Sequence, residues 1–287
     1  MDDLASRLSA CLLQWELRPG ARLRGGARSE VLTCTNTVGN EVVLKLAGTP
    51  GSARAEAAAL TAWSGTGAAV RVLAADPGHG GLVLERIRPG TPLPGCADEV
   101  AVPVAADVLG RLHQAGSATI GFPALCDVYH RMEGQASEDA RYEQRRRNDP
   151  ARAVAGLRRL GAARAAALEL CASTRAPVLL HGDFLDKNLL LAGDHYLAID
   201  PIPSAGDPCA DVGFFAAGHP PPSVILDRAS VMAASLGLDE RRARRWAAVF
   251  TVLQVCSAWR DDQTELEAVL VSDVLERVLA GPGGART

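Results

Sequence analysis

The strongest constraint on this chain lies between residues 178 and 200. Three short apolar runs occur there: Val178-Leu179-Leu180, Leu189-Leu190-Leu191 and Tyr196-Leu197-Ala198-Ile199. The polar stretch His181-Gly182-Asp183-Phe184-Leu185-Asp186-Lys187-Asn188 separates the first two. One loop therefore offers Asp183 and, five residues on, Asn188; a hairpin then brings the chain back to Asp200, 17 residues after Asp183. A base with two oxygen donors for a hard cation is the set that phosphoryl transfer from Mg-ATP requires. Singly, these residues have ordinary readings as a turn aspartate, a cap and a strand-end residue. Together, at these spacings between apolar runs, they favour chemistry.

Bulk properties narrow the field. A chain of 287 residues can bury a full core and hold two lobes. A formal net charge of −3 argues against a nucleic-acid footprint. The basic clusters Arg145-Arg146-Arg147 and Arg241 to Arg245 fall in helical-looking polar stretches and are expected to be solvated faces. The odd count of seven cysteines, with no CxxC pair, fits free thiols better than a disulfide framework. The acidic start Met1-Asp2-Asp3 lacks the features of a signal peptide, and no apolar run reaches the ~18 residues of a membrane span. The expectation is a monomeric cytoplasmic enzyme with no membrane or nucleic-acid partner. Arginine supplies nearly all positive charge, since only Lys45 and Lys187 are lysines. A lysine kept in such a background points to a need for its compact ammonium.

Patterning divides the chain. Leu4 to Trp15 has the period of an amphipathic helix, and strand-like segments follow at residues 15–23, 30–37 and 42–46, then at 70–74 and 82–87. An alanine-rich helix from about Ala53 to Trp63 interrupts them. After Pro89-Gly90-Thr91-Pro92 the character becomes helical, with predicted helices at residues 100–115, 137–148, 151–172, 223–236, 239–259 and 266–280. Asp239 is placed to cap one of these. The chain is thus expected to be α+β, with a small antiparallel-sheet lobe carrying one helix over residues 1–87 and a larger helical lobe over 88–287.

Lys45 lies in Val42-Val43-Leu44-Lys45-Leu46, where burial without a partner would be costly. The only carboxylate between Lys45 and Asp76 is Glu56, which makes it the expected partner. Gly25-Gly26-Ala27-Arg28-Ser29 is an ordinary hairpin loop by local pattern, although its glycines would let backbone amides approach a phosphate. His181 is expected to buttress its loop by hydrogen bonding, and Asp207 and Asp211 to serve structure first.

These segments resemble the aminoglycoside phosphotransferase family, in the branch of the streptomycin 6-kinases and hydroxyurea phosphotransferases. The resemblance is carried by Trp15-Glu16-Leu17, the Val43-Leu44-Lys45-Leu46 strand, Ala59-Leu60-Thr61-Ala62-Trp63, Leu84-Glu85-Arg86 before Pro89-Gly90, the loop from His181, Ala198-Ile199-Asp200-Pro201 and Gly206-Asp207-Pro208. It implies a protein-kinase-like two-lobe fold and ATP-dependent phosphorylation of a hydroxyl on a small molecule. In that frame Asp183 is the base, and Asn188 and Asp200 hold Mg²⁺. Lys45, held by Glu56, meets the nucleotide phosphates, with a hydroxyl from Ser29. The Glu85 carbonyl and the Ile87 amide meet the adenine. The run Phe184-Leu185-Asp186-Lys187 departs from the branch and places Asp186 among the acceptor-binding candidates. The acidic stretch Asp261 to Glu267 adds Asp262 and Glu265, unless it is only a solvated turn between helices. The acceptor implied is an antibiotic such as a streptomycin-like aminoglycoside. The alternatives are a kinase of another hydroxylated metabolite and a catalytically dead binding protein.

Overall fold

The computed structural model describes residues 4–23, 29–93, 98–115, 119–147, 150–218, 222–258 and 272–281. The chain gathers into two compact units. The first comprises Met1–Pro94 with Lys187–Pro203, and the second Gly95–Asp186 with Ser204–Thr287.

In the first unit α1 (Leu4–Gln14) precedes a five-stranded antiparallel sheet of order β1-β2-β3-β5-β4. The strands are β1 (Arg18–Arg22), β2 (Glu30–Thr35), β3 (Glu41–Leu46), β4 (Val72–Asp76) and β5 (Gly81–Glu85). Successive residues of a strand face opposite sides. Val42, Leu44 and Leu46 of the central β3 accordingly join Leu32, Cys34 and Val83 in a core that Cys11, Leu8 and Leu12 of α1 cover. Val43 and Lys45 belong to the other face. Lys45 is fixed in register between Val31 of β2 and Leu82 of β5.

Helix α2 (Pro50–Ala62) starts where a sequence rule says it should. Thr49 and Ser52 form a reciprocal capping box, and Pro50 occupies the first turn, where its missing N–H is no loss. Ala53, Glu56, Ala59 and Leu60 recur at helical spacing and form its buried face. Strands β6 (Pro89–Pro92), β8 (Leu189–Ala192) and β9 (His195–Ala198) make a second sheet of order β6-β8-β9. The β8–β9 turn is only two residues, Gly193-Asp194, and Gly193 takes φ 66°, as such tight turns require. Ala69 bridges Ala198, which ties this hairpin to the rest of the first unit.

The second unit contains α3 (Asp98–Gln114), α4 (Leu125–Arg147), α5 (Pro150–Ala172), α6 (Cys209–Ala217), α7 (Pro222–Ser235), α8 (Glu240–Ala258) and α9 (Asp273–Ala280). A two-stranded ribbon of β7 (Val178–Leu180) and β10 (Ser204–Gly206) accompanies them. All nine residues of α6 are buried, and α7 and α8 pack against it. Asp239 does cap α8, since its Oδ1 accepts the Arg241 and Arg242 N–H groups at 2.8 and 3.1 Å.

Three sequence expectations need correction. α4 begins at Leu125, not near Ser137, because Leu125, Val128, Tyr129, Ala136 and Ala140 form a buried stripe that Gly134 and the charged residues around it obscure. Pro89–Pro92 is a strand, admissible for prolines because β6 is an edge. The short strand β10 has no counterpart in the predicted elements.

Gly213 of α6 packs directly against the backbone of α8. A Cβ there would stand 2.6 Å from the Ala247 nitrogen and the Trp246 carbonyl carbon, both backbone atoms. Alanine would gain about 1 kcal/mol in helix propensity, but overpacking against backbone costs about 1–3 kcal/mol. Gly213→Ala should therefore lower the urea midpoint of unfolding, while Gly134→Ala, which meets nothing within 4 Å, should not.

Candidate functional site

In the first unit the sheet and α2 bring three charged side chains together. The Lys45 ammonium lies 2.7 Å from both oxygens of Glu56 and also hydrogen bonds Oδ1 of Asp200. Lys45 and Glu56 are buried, whereas Asp200 is about one-third exposed. Burial works to lower the Lys45 pKa, but the charges of Glu56 and Asp200 outweigh it and hold the ammonium above its ordinary value. Burial pushes the Glu56 carboxyl up, and Lys45 opposes it. A cation so held is charged throughout the neutral range.

Asp200 is further marked by its backbone, since φ is 60°. Aspartate enters this left-handed region more readily than most residues, yet such a conformation is kept only where surroundings enforce it. Here Lys45 holds the side chain and the end of the β8–β9 hairpin holds the main chain. Ile199 N–H donates to the Asn188 carbonyl at 2.9 Å, so Asn188 and Asp200 stand at the open end of one hairpin. Asn188 itself is buried.

In the second unit the loop after β7 is organised by one carboxylate. Asp211 of α6 is almost wholly buried. Its Oδ2 accepts the His181 N–H at 2.8 Å and its Oδ1 the Gly182 N–H at 2.9 Å. His113 of α3 approaches Oδ2 through Nε2 at 3.1 Å. Burial would raise the Asp211 pKa, but the His113 hydrogen bond, the charges of His113 and His181 and the Gly182 N–H bring it below the ordinary carboxylate value.

His181 Nδ1 accepts the Asp183 N–H at 3.3 Å, and its ring meets the edge of Phe184 at 5.5 Å. Asp183, half-buried, is thus set by backbone contacts on both sides of Gly182. Asp207 performs a separate task. It accepts the Cys209 N–H at 3.0 Å at the start of α6 and receives Arg242 at 2.6 Å and the Trp246 indole N–H at 2.8 Å from α8.

The remaining candidates are placed as follows. Glu85 ends β5 and pairs with Arg71 at 2.8 Å, while Ile87 is buried just beyond it. Ser29 is half-buried before β2. Asp186 opens a single 3-10 turn over Asp186–Asn188. Asp262 and Glu265 lie outside the described residues. His113 is a residue that the sequence reading does not reach; a lone histidine near the end of a helix carries no signal there.

Two tests follow from this geometry. Lys45→Met leaves two neighbouring carboxylates without their cation, and breaking a buried pair costs about 3–5 kcal/mol. Adding Glu56→Gln removes part of the repulsion. The double variant should therefore be no less stable than Lys45→Met alone in denaturant titrations, and strict additivity would deny the coupling. Asp211 binds its proton less readily folded than unfolded. Its stabilisation is thus present above the ordinary carboxylate pKa and is lost as pH falls through the folded value. Asp211→Asn should cost about 3 kcal/mol at pH 7, and the difference from wild type should shrink below about pH 4.

Comparison with known proteins identifies the family. The family described as aminoglycoside/hydroxyurea antibiotic resistance kinase matches residues 14–264. A hydroxyurea phosphotransferase of Kitasatospora aureofaciens is 33% identical over 99% of this chain and 81% of its own. A streptomycin 6-kinase of Streptomyces glaucescens is 30% identical over 85% of this chain and 79% of its own. Among solved structures, a choline/ethanolamine kinase family protein from Mesorhizobium loti superposes with a TM-score of 0.65 at 19% identity, covering 96% of this chain and 98% of that one. The fold is kinase-like, and the chain belongs to the aminoglycoside/hydroxyurea antibiotic resistance kinases as a small-molecule phosphotransferase.

Proposed function

We propose that the protein transfers the γ-phosphoryl group of ATP to a hydroxyl of a small antibiotic of the hydroxyurea or streptomycin kind, and so confers resistance to it. The observation that carries this reading is the buried Lys45 ammonium clasped by Glu56 and Asp200. Its support is a chain whose relatives are named for those two acceptors. In this reading residues 1–87 bind the nucleotide, with Ser29 near the phosphates and the Glu85 carbonyl and Ile87 amide at the adenine. Residues 88–287 carry the base, the metal ligands and the acceptor site, including Asp186, Asp262 and Glu265.

Each side chain then has a defined task. Lys45 presents a fixed positive charge to phosphate oxygens, and Glu56 keeps it from swinging away. Asp183 accepts the proton of the acceptor hydroxyl as its oxygen bonds to phosphorus and the bond to the leaving ADP breaks. Such a reaction depends on positioning and charge stabilisation more than on covalent help from the protein. Asn188 and Asp200 fit Mg²⁺, since an amide and a carboxylate oxygen are hard donors and that ion takes few protein ligands beside water and phosphate. When bound, it would offset charge on the phosphate oxygens.

The test is ADP release with hydroxyurea and with streptomycin. Asp183→Asn should retain nucleotide binding and lose more than tenfold in kcat, over about 1.4 kcal/mol of barrier. Asp200→Ala should be inactive and should not recover at high Mg²⁺. Wild-type rates in either variant, or no turnover of either acceptor by the wild type, would defeat the corresponding assignment.

A further inference from the structure

The Lys45 ammonium holds more carboxylate than its own charge requires. Both Glu56 oxygens lie 2.7 Å from Nζ, and that carboxylate alone neutralises it. Asp200 nevertheless gives Oδ1 to the same nitrogen, so one cation faces two anions. The three groups differ in exposure. The side chains of Lys45 and Glu56 are 7% and 5% exposed, whereas that of Asp200 is 34% exposed. The second carboxylate is thus the one member of the cluster that solvent reaches.

The cluster also has one movable part. Glu56 is fixed in the buried face of α2. Asp200 follows Ile199, whose N–H is bound to the Asn188 carbonyl at 2.9 Å, and its own φ is 60°. The ammonium, by contrast, ends a flexible four-carbon stem and carries three donors that can be re-aimed. While it stays, a divalent cation meets two obstacles at Asp200. Oδ1 is already engaged, and the ion would stand beside a like charge where water screens little. Such an ion also gives up its hydration reluctantly. Phosphate oxygens remove both obstacles, since they accept from the ammonium and offset its charge while Glu56 retains its hold.

We infer that Lys45 bars divalent cations from Asp200 until nucleotide phosphates draw the ammonium away, which rests on the proposed reading of Asp200 as a ligand of the metal. Metal then enters with the nucleotide or after it, never ahead of it. The barrier is the ammonium itself and not a shortage of oxygen donors. This separates it from a site that is weak only because the phosphates have yet to arrive. Without Lys45, the carboxylates of Glu56 and Asp200 converge on one point with a charge that a divalent cation matches. Lys45→Met should thus create a cation site that needs no nucleotide.

The experiment counts bound Mn²⁺ by electron paramagnetic resonance on the full chain without nucleotide, Mn²⁺ standing in for Mg²⁺ as an ion that takes the same oxygen donors. Lys45→Met should bind Mn²⁺ roughly tenfold more tightly than wild type, or better. Adding Asp200→Asn to Lys45→Met should remove that gain. Wild type and Asp200→Asn should bind the ion equally weakly. Equal affinity in folded Lys45→Met and in wild type would overturn the inference. So would tighter binding by nucleotide-free wild type than by Asp200→Asn, a comparison that keeps the lysine and stands whether or not Lys45→Met folds. With ADP added, wild type should hold Mn²⁺ more tightly than Asp200→Asn. Equality there would instead refute Asp200 as a metal ligand in the proposed function, while a nucleotide-independent site in Lys45→Met would leave the exclusion by Lys45 standing.

Discussion

The first unit is organised around an ammonium taken out of water. Lys45 cannot sit in the middle of a central strand unless carboxylates come to it, and the rest of that unit can be understood as the means of bringing them. Strand parity turns Lys45 away from the Val42, Leu44 and Leu46 face, so α1 seals one side of the sheet and leaves the other for charge. The capping box at Thr49 sets the phase of α2, which puts Glu56 on its buried face with Ala53 and Ala59. The β8–β9 hairpin returns Asp200 to the same ammonium, at a backbone geometry that few residues accept. Removing Glu56 or Asp200 leaves the buried ammonium with one carboxylate where it now has two.

The second unit solves a related problem with the opposite sign. Asp211 is a carboxylate enclosed by α6, and the donors that stabilise it are main-chain N–H groups of the loop whose shape matters. Stability and placement are thereby the same interaction, since the loop cannot move without exposing the carboxylate to unpaired burial. Asp207, four residues earlier on the same stretch, instead ties α6 to α8 through Arg242 and Trp246.

Much of this is legible in the amino-acid sequence, for reasons that can be named. Lys45 and Glu56 stand out because lysine is scarce and because no other carboxylate competes in that stretch. The hairpin between Asn188 and Asp200 is visible because apolar runs bracket it. Arg228 is not visible: one arginine in an arginine-rich chain gives no sign of being buried, and only the packing of Phe215 and Ile225 reveals it. The onset of α4 is hidden because its buried stripe is diluted by glycine and charge. The division of labour between Asp207 and Asp211 depends on which way α6 is turned, and a run buried on every side has no periodicity to show it.

The enclosure of Lys45 has a practical corollary for the chemistry of the whole molecule. Acylating reagents attack an uncharged, reachable amine, and Lys45 is neither, being protonated by its neighbours and covered by the sheet. The other lysine, Lys187, is exposed and immediately precedes Asn188. Side-chain amine labelling of the folded protein is thereby directed to one position, so a fluorophore or affinity handle can be placed beside the hairpin's open end without engineering the sequence.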